Sequence, residues 1–342
     1  MNKKILVTGG LGYIGSHTVV ELQKAGYTVL IVDNLSNSNI KILDQIERIT
    51  GIRPEFINFD LCDDILVYKL AKENSDIENI IHFAAYKAVG ESVSLPLKYY
   101  QNNLYPLINL LQAFSDRKLN LVFSSSCTVY GTPDVLPVTE NSPVKKAESP
   151  YGNTKQICEE ILSDTSKANE NIKIISLRYF NPIGAHESGL IGELPLGIPS
   201  CLGPLITQTA IGKRKVFTVF GEDYDTLDGT CIRDYVHIVD LARAHLLAMK
   251  RIENENTREK YEIINIGTGK GTSVLQAINA FENATGVKLN YSIGARRPGD
   301  VEKIWADATL AEKLLSFKAE HSLKDMMSSA WKWEKYLKEN PM

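Results

Sequence analysis

One short segment near the start limits the fold more than anything else in the chain. Ile5–Thr8 is a brief apolar run that reads as a buried strand, and Gly9-Gly10-Leu11-Gly12-Tyr13-Ile14-Gly15 follows it directly. The turn can be spaced as GxGxxG from Gly10 or as GxxGxxG from Gly9. A helical pattern runs on from about Tyr13 to Lys24, Gly26 ends it, and Thr28–Val32 reads as the next strand. Glycines between a strand and a helix let the backbone turn sharply and approach a pyrophosphate, while the helix N-terminus presents N–H groups to its oxygens. The motif alone is common; its placement between strand and helix gives it weight.

The same alternation continues. Glu55–Phe59, Asn79–Phe83, Asn120–Ser124 and Lys173–Arg178 read as strands with helical patterns between them. That order predicts a parallel sheet covered on both faces: an α/β, Rossmann-type, doubly wound fold. A chain of 342 residues is too long for one small core and fits a large α/β domain with a smaller one. Residues 181–231 are rich in glycine and proline with little periodicity, which suits either a ligand-wrapping segment or a surface connection. Asp234–Lys250 returns to strand and then helix, Tyr261–Ile266 is another strand and Ser273–Ala284 another helix. The expected division is a dinucleotide-binding domain over 1–180, with a later contribution from about 234–252, and a smaller mixed α/β C-terminal substrate domain covering mainly 181–342.

Asp33 closes the second strand, 18 residues after Gly15. An acid there hydrogen-bonds an adenosine ribose and repels a 2′-phosphate, which favours NAD over NADP; the plainer reading is a turn begun with Asn34. Asp60 at the end of the third strand, and Phe83-Ala84-Ala85 at the end of the fourth, lie where open α/β sheets bind ligands. The small alanines would let a cofactor lie near the backbone; the plainer alternative is tight helix–strand packing.

Ser149-Pro150-Tyr151-Gly152-Asn153-Thr154-Lys155 opens a helix and puts Tyr151 and Lys155 on one face. A free tyrosine, with a pKa near ~10, is a poor base at neutral pH. A neighbouring ammonium can lower such a value by roughly 1–3 units. Three serines at a strand end, Ser124-Ser125-Ser126, suit hydrogen bonding to a reacting hydroxyl; the alternative is a serine-rich turn.

Composition excludes other classes. Lysine and arginine number 38 against 41 aspartates and glutamates, a net charge of −3, so no general field attracts nucleic acid or an anionic membrane. Five cysteines, an odd number without CxxC spacing, argue against a disulfide framework or zinc site and for a reducing compartment. The apolar run after Met1-Asn2-Lys3-Lys4 is too short for a signal peptide or membrane span, so a cytoplasmic location is expected. The six histidines are scattered with no ligand-spaced pair, and no metal is expected.

Taken together, the Gly9–Gly15 turn, Asp33, the Ser124–Ser126 strand end and Tyr151 with Lys155 resemble the extended short-chain dehydrogenase/reductase family over essentially the whole chain. Within it the segments Gly12–Thr18, Asp33–Leu35, Lys87–Ser92, Arg178–Pro182, and Asp228–Thr230 through Arg233–Tyr235 resemble the UDP-galactose/UDP-glucose 4-epimerase family. The resemblance implies NAD held as a bound prosthetic group and a UDP-hexose substrate. It implies that Tyr151 takes the proton of the sugar 4-OH while the C4 hydride moves to NAD. The 4-keto sugar then turns over in the pocket and receives the hydride on its other face. Lys155 would hold the nicotinamide ribose and tune Tyr151, and Ser126 would hydrogen-bond the oxygen in transit.

Further roles follow from the resemblance. The cofactor set is Gly9, Gly12, Tyr13, Ile14, Gly15, Asp33, Asn34, Asp60, Leu61, Phe83, Ala84, Ala85, Lys87, Asn102, Tyr151, Lys155 and Tyr179. Arg233 and Arg297 match diphosphate-binding arginines, a role suited to a fork that grips phosphate oxygens. Asn181, Phe220, Tyr235 and Asp300 match other nucleotide-sugar contacts, and Lys87, Ser126 and Tyr151 also face substrate. The family commonly forms homodimers through helices of the first domain.

Two departures stand out. Ser200-Cys201 replaces a usual pair of asparagines after Gly197-Ile198-Pro199. Ile304 matches a gate position where tyrosine restricts the pocket to hexoses and a small residue admits N-acetylhexosamines, so a UDP-N-acetylglucosamine 4-epimerase or dual-specificity enzyme is an alternative. Sugar-nucleotide 4,6-dehydratases and decarboxylases usually carry an acid just after the strand-end serine or threonine, where this chain has Cys127 and Thr128. A non-enzymatic NAD-sensing protein would not need the serine, tyrosine, lysine and arginines together. A simple secondary-alcohol oxidoreductase would release NADH.

Overall fold

The structure, a computed structural model, describes residues 3–297 and 300–342. In chain order the strands are β1 Lys4–Thr8, β2 Thr28–Asp33, β3 Glu55–Asn58, β4 Asn79–His82, β5 Leu119–Ser124, β6 Ile172–Tyr179, β7 Asn181–Ile183, β8 Phe217–Phe220, β9 Ile232–Arg233, β10 Tyr235–His237, β11 Tyr261–Ile266, β12 Thr272–Ser273, β13 Tyr291–Gly294 and β14 Lys303–Ile304. The α-helices are α1 Tyr13–Lys24, α2 Ile42–Thr50, α3 Asp64–Glu73, α4 Val89–Ser94, α5 Pro96–Ala113, α6 Pro150–Ala168, α7 Leu202–Ala210, α8 Ile238–Glu253, α9 Val274–Thr285, α10 Thr309–Leu315 and α11 Leu323–Glu339.

Two compact units result. The first comprises Met1–Gly131, Val144–Arg178 and Ala242–Ile264; the second comprises Thr132–Pro143, Tyr179–Leu241 and Asn265–Met342. The first is built on a sheet in the order β11-β6-β5-β4-β1-β2-β3, in which β3 through β6 pair in parallel. Its central strands are continuous apolar runs because helices cover both faces. Leu6, Leu30, Ile80, Leu121 and Phe123 pack with Phe114 and Leu162, all 2% exposed or less. The expected α/β Rossmann-type architecture is the one observed, and β1 lies where the strand order reverses, the place where such sheets bind ligands.

The second unit is a mixed α/β body of short strands. β10 pairs with β7 and β13 with β8, both parallel, and β9 lies between antiparallel β12 and parallel β14. Phe217, Val219, Tyr235, Phe281, Met326 and Met327 form its core. Within 181–231, read above as largely aperiodic, the chain forms the nine-residue helix α7. Pro204 conceals it in the sequence, yet a proline in the first helical turn removes only an N–H that has no intrahelical partner. Thr132–Pro143 belongs to the second unit although the chain on both sides belongs to the first. Val138 there donates its N–H to Trp305 O at 3.0 Å and accepts from Asn265 Nδ2 at 3.1 Å.

Candidate active site

The turn after β1 is a cradle that only glycine permits at two points. Gly9 has φ +67°, and a Cβ on it would lie 2.8 Å from the amide nitrogen of Ala84. A Cβ on Gly15 would lie 2.2 Å from Gly9 O. Gly12, the N-cap of α1, donates its N–H to Gly9 O at 3.0 Å and closes the turn. Helix α1, opened by Tyr13 and Ile14, has no side-chain cap and no acid in its first turn. No carboxylate of its own first turn meets its positive end, which suits phosphate.

Asp33 ends β2 beside this turn and is 8% exposed. It accepts N–H groups from Leu11 at 3.1 Å and Leu35 at 2.9 Å and the Ser38 hydroxyl at 2.8 Å, so its carboxylate is held in one orientation. Asn34 donates to Asp60 at 3.1 Å, joining the ends of β2 and β3. Leu61 beside it is buried. At the end of β4, half-buried Phe83, Ala84 and Ala85 lead to exposed Lys87, whose Nζ lies 5.6 Å over the Tyr13 ring.

Ser149 and Pro150 begin α6 as the sequence leads one to expect: Ser149 Oγ accepts from Gly152 N at 3.1 Å and proline takes the first helical position. Tyr151 and Lys155, 6% and 4% exposed, follow on one face. Lys155 Nζ donates to Ser124 O at 2.7 Å and lies 4.7 Å over the Phe123 ring. Burial pushes its ammonium down to about 8 from an ordinary 10.5, against the opposing pull of Cys158 and Glu159. Ser126, also buried, caps the short 3-10 turn Cys127–Tyr130 by accepting from Thr128 N at 3.3 Å.

In the second unit Arg297 grips Asp300 with two bonds, Nε at 3.1 Å and Nη2 at 2.6 Å, and Arg233 Nη2 lies 3.7 Å from the same carboxylate. The Arg297 guanidinium lies 5.7 Å from the ring centroid of Phe220. Ile304 pairs with Arg233 in the β14–β9 register and is 5% exposed. Tyr235 is buried, and burial holds its phenol above the ordinary range. Asn181 Oδ1 is a buried acceptor without a protein partner, and Tyr179 ends β6 two residues before it.

Several supporting contacts escaped the sequence reading. Thr8 Oγ1 and His82 Nδ1 meet at 2.7 Å across β1 and β4, and burial pushes His82 down to about 3, so it is neutral at pH 7. Asn103, 2% exposed, binds both Tyr86 N and O and the Thr154 hydroxyl, tying α5 and the loop before Lys87 to α6; its neighbour Asn102 also donates to it. Ser125, Glu159 and Arg178 form a buried cluster behind Ser126. Asp234, fully buried, accepts N–H groups from Thr268, Gly269 and Ala306, and burial raises its carboxyl. Neither periodicity nor spacing marks these residues, because each bonds across elements far apart in the chain. Among the described residues, no group of three or more His, Cys, Asp and Glu is placed to hold a metal ion, and no helix is long and apolar enough to cross a membrane.

Known proteins resemble the chain along nearly its full length. Residues 6–330 match the family described as GDP-mannose 4,6 dehydratase. The UDP-glucose 4-epimerase of Haemophilus influenzae is 49% identical over 332 residues, 97% of each chain. Among solved structures, UDP-glucose-4-epimerase from Stenotrophomonas maltophila with bound NAD and formylated UDP-arabinopyranose superposes with TM-score 0.94 at 46% identity, covering 99% of both chains. UDP-glucose 4-epimerase from Bifidobacterium longum in complex with NAD+ and UDP gives 0.93 at 46% identity, again over 99% of both.

Proposed function

The chain belongs to the UDP-glucose 4-epimerase family, and from that premise we propose that it is an NAD-dependent isomerase that interconverts UDP-galactose and UDP-glucose through a transient 4-keto sugar. The observation that carries the reading is the buried Tyr151–Lys155 pair on α6, with Lys155 anchored on the carbonyl of the serine turn that contains Ser126.

The first unit fits NAD. The Gly9–Gly12–Gly15 cradle would take the pyrophosphate, Asp33 the adenosine ribose and Lys155 the nicotinamide ribose, with Asn34, Asp60, Leu61, Phe83, Ala84, Ala85, Lys87 and Asn102 supplying further contacts; Tyr179, which belongs to the second unit, is proposed to add one more. When bound, NAD supplies a reversible two-electron sink for the hydrogen at C4. Tyr151 takes the proton of the 4-OH and returns it after the sugar has turned, a contribution of about 10²–10⁴ in rate. The Lys155 ammonium stabilises the phenolate. Ser126 accepts from Thr128 N–H, which leaves its own O–H to donate to the sugar oxygen. Arg233 and Arg297 share one carboxylate, so together with Asp300 they carry one net positive charge toward the dianionic diphosphate. The unpartnered Asn181 Oδ1 suits a donor on the nucleotide sugar.

One observation favours a broader substrate range. Ile304 is branched but smaller than tyrosine, so some turnover of UDP-N-acetylhexosamines is part of the proposal. Assembly as a homodimer through helices of the first unit is supported by apolar side chains exposed on α3, α4 and α5, among them Ile65, Val93 and Leu97.

The test is to supply the purified protein with UDP-galactose and no added NAD and to measure UDP-glucose. Conversion supports an epimerase with a retained, recycled cofactor. No conversion, persisting after NAD is added, would overturn the assignment of this substrate pair.

A further inference from the structure

Helix α6 carries a third ionisable side chain in step with Tyr151 and Lys155. Glu159 follows Lys155 by four residues and so extends the same face by one turn. Its carboxylate is buried and fully engaged. Oε1 accepts the Ser125 hydroxyl at 2.5 Å and Arg178 Nε at 3.0 Å, and Oε2 accepts Arg178 Nη2 at 2.6 Å. The side chains of Arg178 and Glu159 are 4% and 8% exposed, and the guanidinium lies 4.8 Å over the Tyr130 ring. A buried ion pair contributes little stability beyond what apolar side chains of similar volume would give, so stability alone does not account for this one.

Its placement does. Ser125 is the middle residue of the serine turn. On one side of it the Ser124 carbonyl anchors the Lys155 ammonium; on the other stands Ser126. The backbone of Ser125 is tied by its N–H to Leu177 O at 3.0 Å, and its hydroxyl is tied by Glu159. One carboxylate thereby orients the residue between two groups of the reaction.

We propose that Glu159, locked by Arg178, is a positioning residue for the epimerisation: it fixes the Ser124–Ser126 turn so that Ser126 and Lys155 are presented together. The inference rests on the reading of Tyr151, Lys155 and Ser126 as the reacting groups. Lys155 has few sources of charge around it. On its own helix are Tyr151, Cys158, whose thiol is pushed up to about 12 by burial and so stays un-ionised, and Glu159; from β4 comes His82, held neutral by burial; β5 offers the Phe123 ring; and β6 offers Arg178, paired with Glu159. Tyr261 on β11 bonds to Ser176 and is kept un-ionised by burial. Glu159 is thus the anion that offsets the burial of Lys155. Removing its charge also leaves Arg178 uncompensated, and both changes drive Lys155 to release its proton at lower pH.

The test compares Glu159→Gln, Glu159→Asp and Ser125→Ala with the wild-type holoenzyme, measuring kcat and KM for UDP-galactose against pH, retained NAD released by denaturation, and the thermal midpoint. Glu159→Gln is expected to lose about 10²-fold in kcat, the scale of a small misplacement of reacting groups, with KM changed less than about threefold and NAD retained. The basic limb of its kcat profile moves to lower pH by about one unit. Glu159→Asp keeps the charge on a shorter arm, so it restores the basic limb but not kcat. Ser125→Ala removes the tether without stranding a charge and loses roughly 5- to 10-fold in kcat, the worth of one neutral hydrogen bond. Should Glu159→Gln fail to fold, Ser125→Ala decides alone: wild-type kcat in that variant overturns the proposal. So does a Glu159→Gln enzyme whose pH profile is unmoved, whatever its midpoint. Tyr151→Phe run in parallel separates the two levels. Full turnover there sinks the underlying reading, whereas its loss beside normal Glu159 and Ser125 variants sinks only the positioning role.

Discussion

The two units build their proposed sites by opposite means. The first uses backbone and element ends: a glycine turn, the N-terminus of α1, and the carboxyl ends of β1 to β4, where Thr8, Asp33, Asn58 and His82 close their strands. The second uses side chains from separate stretches, with Arg233 on β9, Arg297 and Asp300 in a loop, and Ile304 on β14 opposite Arg233. A backbone site is held by the sheet itself. A side-chain site has to be held by something else, and here Asp234 ties Thr268, Gly269 and Ala306 into one frame next to Arg233. The difference predicts that changes in the first unit alter chemistry or cofactor retention, and changes in the second alter affinity and choice of sugar.

The largest expected effect is on the first side of that contrast. Tyr151→Phe should lower kcat by about 10²–10⁴ while the far-UV spectrum and retained NAD stay near wild type. Near-normal turnover would remove Tyr151 as the base. Arg233→Ala should raise KM for UDP-galactose by roughly 10- to 100-fold, the worth of a charged hydrogen bond, with a far smaller change in kcat. A loss confined to kcat would mean that the second unit also does chemistry, and the contrast would break. Ile304→Tyr should cut kcat/KM for UDP-N-acetylgalactosamine by about 10- to 100-fold and leave UDP-galactose nearly unchanged. Equal ratios in both enzymes would take Ile304 out of the selectivity argument.

The smallest effect separates stability from catalysis at Lys155. Its folded-state pKa, about 8, lies below the ordinary 10.5 of the unfolded chain. Between those values the unfolded state binds more protons, so this group makes the fold more stable as pH rises. Over the same window the ammonium that supports Tyr151 is lost and turnover falls. Relative to Lys155→Met, the wild-type thermal midpoint should therefore gain with pH while wild-type kcat declines. A wild-type midpoint that fell with pH relative to Lys155→Met would reverse the sign and refute the burial argument.

The contrast also explains what the sequence made legible. The α/β class and the central strands could be read because buried parallel strands are apolar runs between helical periods, whereas the edge strand β3 is largely exposed. Gly9, Gly15 and Asp33 could be read because backbone chemistry leaves a local signature: a left-handed φ at Gly9, a Cβ clash at Gly15, and an acid at a strand end. The Arg233–Asp300–Arg297 group was reached only through family resemblance, since nothing in the spacing of residues 233, 297 and 300 says that they meet. Helix α7 was hidden by Pro204 and Gly203, and Thr132–Pro143 by its shortness. The serine turn was read as a reacting element. Ser125 proves to bond inward to Glu159, because a buried hydroxyl with a carboxylate in reach has no reason to face the solvent.

The most direct test of the account follows the hydrogen at C4. Given UDP-galactose carrying deuterium at C4, the enzyme should form UDP-glucose with the label still on C4, without loss to solvent or to added free NAD. Label appearing in the solvent or in the free cofactor pool would contradict a hydride that leaves and returns within one site.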